Sequence, residues 1–499
     1  MTKGQMTKGQ MTKGQMTKGR WPVSGSHRRS LTAVFMTATL ALTLVGTTVA
    51  ASSAGAARPA GVPRIHVPRP TVSGPVTGGG GVLAINTQIA EMPQFGYVQD
   101  EYFFEGTAQA FDAIGALGSD GHWNVAPSTA APYKTRMIIR RPSNPARFNG
   151  TVIVEWLNVT AQFDTSPDWE YSRIELMRQG YAWVGISAQF IGVDGPVAGL
   201  KLLDPVRYGS LVHPGDQYSY DIYSQAARAL THPRGVDPLP GLDAHRLIAD
   251  GESQSASRMT TYVNAIAPGA RQYDAYLIHS RSAGASALSI SGAGTTVPNP
   301  TFIRTDLSAP VFVFEAETDI PRYAPARQPD TDTLRTWEVA GTAHADEYMI
   351  GPVATSVLGC TLPANRGPQH YVFHTALRDL RQWMLKSSRV PPSAPRITLD
   401  AQGNVARDAD GNALGGIRTP QLDAPIATLS GFGNSPGLCS LFGTTFPFTA
   451  GQLQAHYGTR AGYLMQFLIG EAHALDAKFL LADDAFPILG EAINFPYPA

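Results

Sequence analysis

The sequence predicts an α/β fold, a mostly parallel central sheet with helices on both faces. Three observations carry this. Short runs rich in β-branched residues recur along the chain, too brief for helices and too continuously apolar for a sheet with one wet face. Segments of helical periodicity stand between them, the alternation of a parallel sheet. At 43% hydrophobic and 16% charged over 499 residues, the chain can bury a large core and is neither disordered nor coiled coil. Its 50 Gly and 38 Pro, above ordinary usage, predict many turns and long loops around that framework.

Residues 1–20 repeat a pentamer, MTKGQ three times and then MTKGR, with no apolar face to bury, and read as a disordered repeat. Arg28 and Arg29, an apolar run from Leu31 to Ala50 and the small stretch Ala54-Gly55-Ala56 follow. These are the three parts of a secretory signal peptide, with cleavage near Ala56; the paired arginines fit either general or twin-arginine export. The mature chain is therefore expected to be secreted, with no stable membrane span. Seven of the 39 bases and none of the 39 acids lie in residues 1–56, so the remainder holds 32 bases against 39 acids. That sign gives no footprint for nucleic acid or anionic membrane.

Residues 57–81 are rich in Pro and Gly and read as a tether. The domain proper spans 82–499. Tyr133–Arg140 and Thr151–Trp156 read as strands, the second entered through the Asn149-Gly150 turn signal. Pro167–Gln179 reads as a helix with Ser166 as N-cap and Gly180 at its end. Tyr181–Ser187 is the next buried strand. Residues 188–244 lack apolar periodicity and are expected to form a cap insertion over a ligand crevice. The strand His245–Ala249, a helix over Gln254–Ala265, and the strands Tyr273–His279, Pro310–Glu315 and Arg335–Ala340 complete the alternation. A C-terminal extension, about 350–499, includes a helix near Pro368–Leu385 and a hairpin over Arg407–Gly416. Cys360 and Cys439 are the chain's two cysteines; in an exported protein they are expected to pair as a disulfide.

The chemistry concentrates where a strand runs through Gly251-Glu252-Ser253-Gln254-Ser255 into a helix. A sharp turn there lifts one serine above the carboxyl end of the sheet, and the small residues at 251 and 255 let strand and helix approach. Ser253 is the expected nucleophile. The backbone N–H of Gln254 would face a developing oxyanion, with a second donor from Leu157 or Asn158 after the strand Thr151–Trp156. A serine hydroxyl needs a base and an orienting acid, and on such a fold they follow the serine in the order acid, then histidine. His344 is the expected base, ahead of His370 and His374, whose i, i+4 spacing suits helix packing, and of His279, which precedes the acids. Asp319 is the expected acid, with Glu317 as the alternative; Asp346 stands too near His344 in sequence.

These residues resemble a known family. The stretches Val154-Glu155-Trp156-Leu157-Asn158-Val159, Arg207-Tyr208-Gly209-Ser210-Leu211, Gly251-Glu252-Ser253-Gln254-Ser255, Arg327-Gln328-Pro329-Asp330, Trp337-Glu338-Val339-Ala340-Gly341 with His344, and Gly415-Gly416-Ile417-Arg418-Thr419-Pro420 are similar to the bacterial alpha/beta hydrolase domain-containing proteins. That is a secreted or cell-envelope group of the α/β-hydrolase superfamily, and the likeness runs over about residues 90–495. It implies the α/β-hydrolase fold and a Ser–acid–His ester-hydrolase site on Ser253, Asp319 or Glu317, and His344. It implies no substrate.

Other chemistries have little support. No His-Glu-x-x-His occurs, Asp408–Asn412 lacks the twelfth-position Glu of a calcium loop, and no phosphate, flavin or nicotinamide fingerprint follows a strand. No metal or cofactor is expected. The expected partner is a small-molecule ester or lactone, and Trp156, Phe163, Trp169, Phe190 and Tyr208 point to an apolar one. A non-catalytic extracellular binding protein, an acyltransferase or a peptidase on the same framework are the alternatives. Nothing in the sequence indicates an oligomeric state.

Overall fold

The computed structural model describes residues 61–80, 85, 87–290 and 294–498. The pentamer repeat and the signal peptide expected over 1–56 lie outside the described residues. Ten strands form one sheet: β1 Thr71–Ser73, β2 Tyr97–Ala113, β3 Val125–Pro142, β4 Thr151–Trp156, β5 Ala182–Ile186, β6 Arg234–Gly235, β7 Arg246–Glu252, β8 Ala275–His279, β9 Val311–Ala316 and β10 Leu334–Val339. They stand in the order β10-β9-β8-β7-β4-β5-β3-β2-β1-β6. From β10 to β5 every neighbouring pair is parallel, and β2 and β3 add an antiparallel hairpin joined to β5.

The parallel half follows directly from composition. Every residue of β4, β5, β8, β9 and β10 is buried, because both faces are covered and no position can remain polar for solvent. One face carries helices α2 (Ser219–Thr231) and α3 (Gln254–Thr261), whose Tyr223, Ala226 and Met259 share a core with Val152, Val154 and Ala249. The other carries α1 (Pro167–Gln179) and α4 (Gln369–Leu385), whose Trp169, Leu176, Phe373 and Leu380 pack with Ile153, Ile248 and Phe312. Parallel register brings the carboxyl ends of β7, β8, β9 and β10 to one edge, pairing Glu252 with His279 and Ala316 with Val339. All crossovers between these strands thus deliver their loops to one crevice.

Several expectations are corrected. Residues 62–73 are no tether: Val62, Ile65, Val67 and Val72 are buried, and Thr71–Ser73 pairs antiparallel with β2. Spaced aliphatic residues dock an otherwise Pro-rich stretch onto the sheet. Ser166 precedes α1 but its hydroxyl caps nothing. Glu155 of β4 does that instead, its two carboxylate oxygens accepting the N–H groups of Asp168 (3.1 Å) and Trp169 (3.0 Å). The 188–244 segment packs along the outer strands. Arg207 Nε donates to Glu101 of β2 at 2.7 Å, and Gln225 Nε2 donates to the carbonyl of Thr107 at 2.8 Å.

After α4, the C-terminal extension includes a two-stranded ribbon, β11 (Ala427–Ser430) with β12 (Thr444–Pro447), and the helices α5 (Ala450–Tyr457), α6 (Arg460–Asp476) and α7 (Ala482–Asn494). At Asp408 the side chain accepts the N–H groups of Asp410 and Asn412 within a hairpin that pairs Arg407 with Ala413. Cys360 and Cys439 are joined, S–S 2.02 Å. Among the described residues no helix is long and apolar enough to cross a membrane.

Candidate active site

β7 ends at Glu252, and the chain turns at Ser253 with φ 59° and ψ −114°, a left-handed conformation that a residue with a Cβ rarely adopts. Such strain costs about 1–3 kcal/mol and persists only where the surroundings enforce it. Here they do. Ser253 N–H donates to the carbonyl of His279 in β8 at 2.9 Å. A Cβ at Gly251 would lie 3.0 Å from Met259 and 3.1 Å from Ser255, so strand and helix touch only because both positions are small. α3 begins at Gln254, whose N–H is one of the first-turn donors that a helix leaves without an internal acceptor.

The expected acid and base stand at the exits of β9 and β10. β9 passes into a tight turn over Glu317–Asp319, and β10 into Gly341–His344, where Gly341 has φ 70°. His344 Nε2 lies 2.8 Å from Ser253 Oγ, and His344 Nδ1 lies 2.8 Å from Asp319 Oδ1. Thr318 Oγ1 accepts the His344 backbone N–H at 3.1 Å and donates to the Gly431 carbonyl at 2.7 Å, fixing the imidazole's backbone. Glu317 faces away from His344. Its carboxylate pairs with Arg407 (2.7 Å) and accepts the N–H groups of Gly341 (2.7 Å) and Gly431 (2.9 Å), binding the C-terminal extension to the sheet.

Glu252 belongs to this constellation and was not singled out by sequence reasoning. It is 3% exposed, with Oε1 2.9 Å from His344 Nε2 and Oε2 accepting from Asn158 Nδ2 at 3.0 Å. Burial alone would depress the His344 pKa. The carboxylates of Asp319 and Glu252, with their hydrogen bonds, outweigh it and hold the imidazole well above its usual value. A signal did exist, an acid inside the turn motif itself.

The other histidines have different partners. His279 is fully buried, its Nδ1 2.6 Å from Asp168, and burial foremost pushes its pKa down to about 4. Its contribution to the turn is its carbonyl. His370 stacks on Tyr348, with ring centroids 3.8 Å apart, and His374 Nδ1 meets Asp484 at 2.9 Å. Asp346 accepts the N–H of Met349 at 3.1 Å, capping the short helix Glu347–Ile350.

The expected second oxyanion donors are corrected by the loop's own pairing. Leu157 N–H is spent on the Ile186 carbonyl at 3.2 Å, and Asn158 N–H on the Thr165 carbonyl at 3.0 Å. Among the described residues Val159, the next in line and 6% exposed, has a backbone N–H with no acceptor.

A cavity of about 580 Å³ opens on Ser253 and His344. Its walls are the 158–167 loop, the segment 345–358, and Leu438, Leu441 and Phe442. No residue of 188–244, the expected cap, lines it. Of the aromatics expected near the site, Phe163 lines the cavity; Trp156, Trp169 and Tyr208 are fully buried in the core, and Phe190 is partly exposed away from it.

The family model described as an alpha/beta hydrolase domain matches residues 72–489. No curated protein matches the sequence. Among solved structures, a putative dienelactone hydrolase from Klebsiella pneumoniae is 16% identical, covers 56% of this chain and 99% of its own, and has a TM-score of 0.29. A glucuronoyl esterase from Solibacter usitatus is 10% identical, with coverage of 55% and 81% and a TM-score of 0.27. A thermostable esterase from Pseudomonas putida is 14% identical, with coverage of 56% and 83% and a TM-score of 0.27. With a serine-bearing turn after β7, a sheet of this order and a family match over most of its length, the chain belongs to the alpha/beta hydrolase domain family.

Proposed function

We propose that this protein is a serine hydrolase of carboxylic esters or lactones, working through an acyl-enzyme. The observation that carries the reading is the unbroken chain from Asp319 through His344 to Ser253, each link 2.8 Å. In the first half-reaction Ser253 Oγ attacks the ester carbonyl carbon and its proton passes to His344 Nε2. Asp319 holds the Nδ1 proton, fixing the tautomer that leaves Nε2 free to accept. The oxyanion formed meets the N–H of Gln254, aided by the positive end of α3, and that of Val159. Collapse of the tetrahedral adduct breaks the bond to the alkoxide, which takes the proton from Nε2. Water then repeats the sequence on the acyl-enzyme and releases the acid.

Glu252 adds a second negative charge at Nε2. It stabilises the imidazolium that exists in both tetrahedral steps, at the cost of a base that stays protonated to higher pH. Action outside the cytoplasm belongs to the same proposal, supported by the signal-like sequence over 28–56 and by the Cys360–Cys439 bond.

The reading is tested by hydrolysis of 4-nitrophenyl acetate. Wild type should turn it over, and Ser253→Ala and His344→Ala should each lose roughly 10³-fold or more in kcat. Retained turnover in Ser253→Ala would move the chemistry elsewhere.

A further inference from the structure

The two segments that roof the cavity share an unusual property. Residues 348–365 and 424–459 contain no Asp, Glu, Lys or Arg. From the first, Val353, Val357 and Leu358 line the cavity while being 67%, 79% and 46% exposed, and Leu438 of the second is 42% exposed. Apolar side chains left in water around a cavity mouth mark a surface shaped for an apolar ligand. The segments are held together by the Cys360–Cys439 bond and by the Asn365 N–H, which donates to the Phe442 carbonyl at 2.8 Å.

The charge pattern inside the cavity is equally one-sided. No Lys or Arg lines it; its ionisable groups are His344 and Glu252, both at the floor. A carboxylate carried into this space would lose its hydration, meet no cation of its own and face Glu252.

We propose that the cavity takes the hydrocarbon chain of an uncharged carboxylic ester, held between the two charge-free segments, and excludes esters whose chain ends in a carboxylate. This rests on the serine-hydrolase reading and adds the substrate class to it. Roof residues set which chain is accepted, while the floor does the chemistry.

The test compares three 4-nitrophenyl esters below their solubility limits: acetate, octanoate, and the monoester of octanedioic acid, which has the octanoate chain length with a terminal carboxylate. Octanoate should exceed acetate in kcat/KM, and the octanedioate monoester should fall below octanoate by roughly 100-fold or more. Val357→Asp, at an exposed roof position, should lower the octanoate-to-acetate ratio of kcat/KM about 10-fold. Equal rates for octanoate and the anionic monoester, a preference for acetate, or no effect of Val357→Asp would each overturn the inference. A fluorophosphonate adduct on Ser253, measured in parallel, separates the two failures. With the adduct present and no chain preference, the substrate class alone is wrong; with no adduct and no hydrolysis, the serine-hydrolase reading falls with it.

Discussion

The floor and the roof of the cavity are built on opposite principles. The floor is made of strand exits: Glu252 ends β7, while Ser253, Asp319 and His344 follow buried strands, and their backbones are tied to neighbouring strands or loops. It concentrates charge in a dry setting, where a few hydrogen bonds decide protonation. The roof is made of uncharged turns and the short helix Ala354–Val357, fastened by one disulfide and a few hydrogen bonds. Under the proposed function, a preorganised floor would serve a reaction that is the same for every ester, and a lightly held apolar cover would serve a choice among them.

Substitutions can break or sharpen that contrast. The largest effect is expected at the floor: Asp319→Asn should cut kcat by up to about 10⁴-fold, because the imidazole then rests in the wrong tautomer. Glu317→Gln, two residues away, should leave kcat nearly intact and instead lower stability by about 1–3 kcal/mol in urea unfolding, since it weakens the bonds to Arg407, Gly341 and Gly431. An inverted pattern would exchange the two roles. Cys360→Ser with Cys439→Ser should lower stability by about 4 kcal/mol in the chain-entropy model for a bond spanning 79 positions. Acetate turnover should survive and chain-length preference flatten.

A subtler effect is expected from pH. His344 must be neutral to accept the serine proton, and its pKa is raised, so kcat/KM should fall as pH drops through a value above 6.5. Glu252→Gln removes one of the anions that raise it. The acid limb of the profile should therefore move to lower pH, with a smaller change in the plateau rate. A limb that stays in place would remove Glu252 from the account.

Much of the floor was legible because its signals are local. Thr151–Trp156 and Pro167–Gln179 have as strand and helix the bounds read from β-branched clustering and from the Pro and Gly at the helix ends. The turn at Ser253 is marked by small residues between a strand and a helix, and the exits at Asp319 and His344 by the ends of apolar runs. What escaped was non-local. The donor choice in the 157–159 loop depends on Thr165 and Ile186 claiming two N–H groups first. Glu155 displaces Ser166 as helix cap because the fold sets a strand carboxylate beneath α1. The roof could not be assigned from 188–244 since its walls come from segments about eighty residues apart. Their common lack of charge was visible in the sequence; that they face each other across Ser253 was not.

Whether His344 makes Ser253 nucleophilic is decided by covalent trapping. The intact protein, treated with a fluorophosphonate and digested, should carry one adduct, on the peptide containing Ser253, and His344→Ala should label at least 100-fold more slowly. An unmodified Ser253 in a folded protein, or equal labelling with and without His344, would contradict the account.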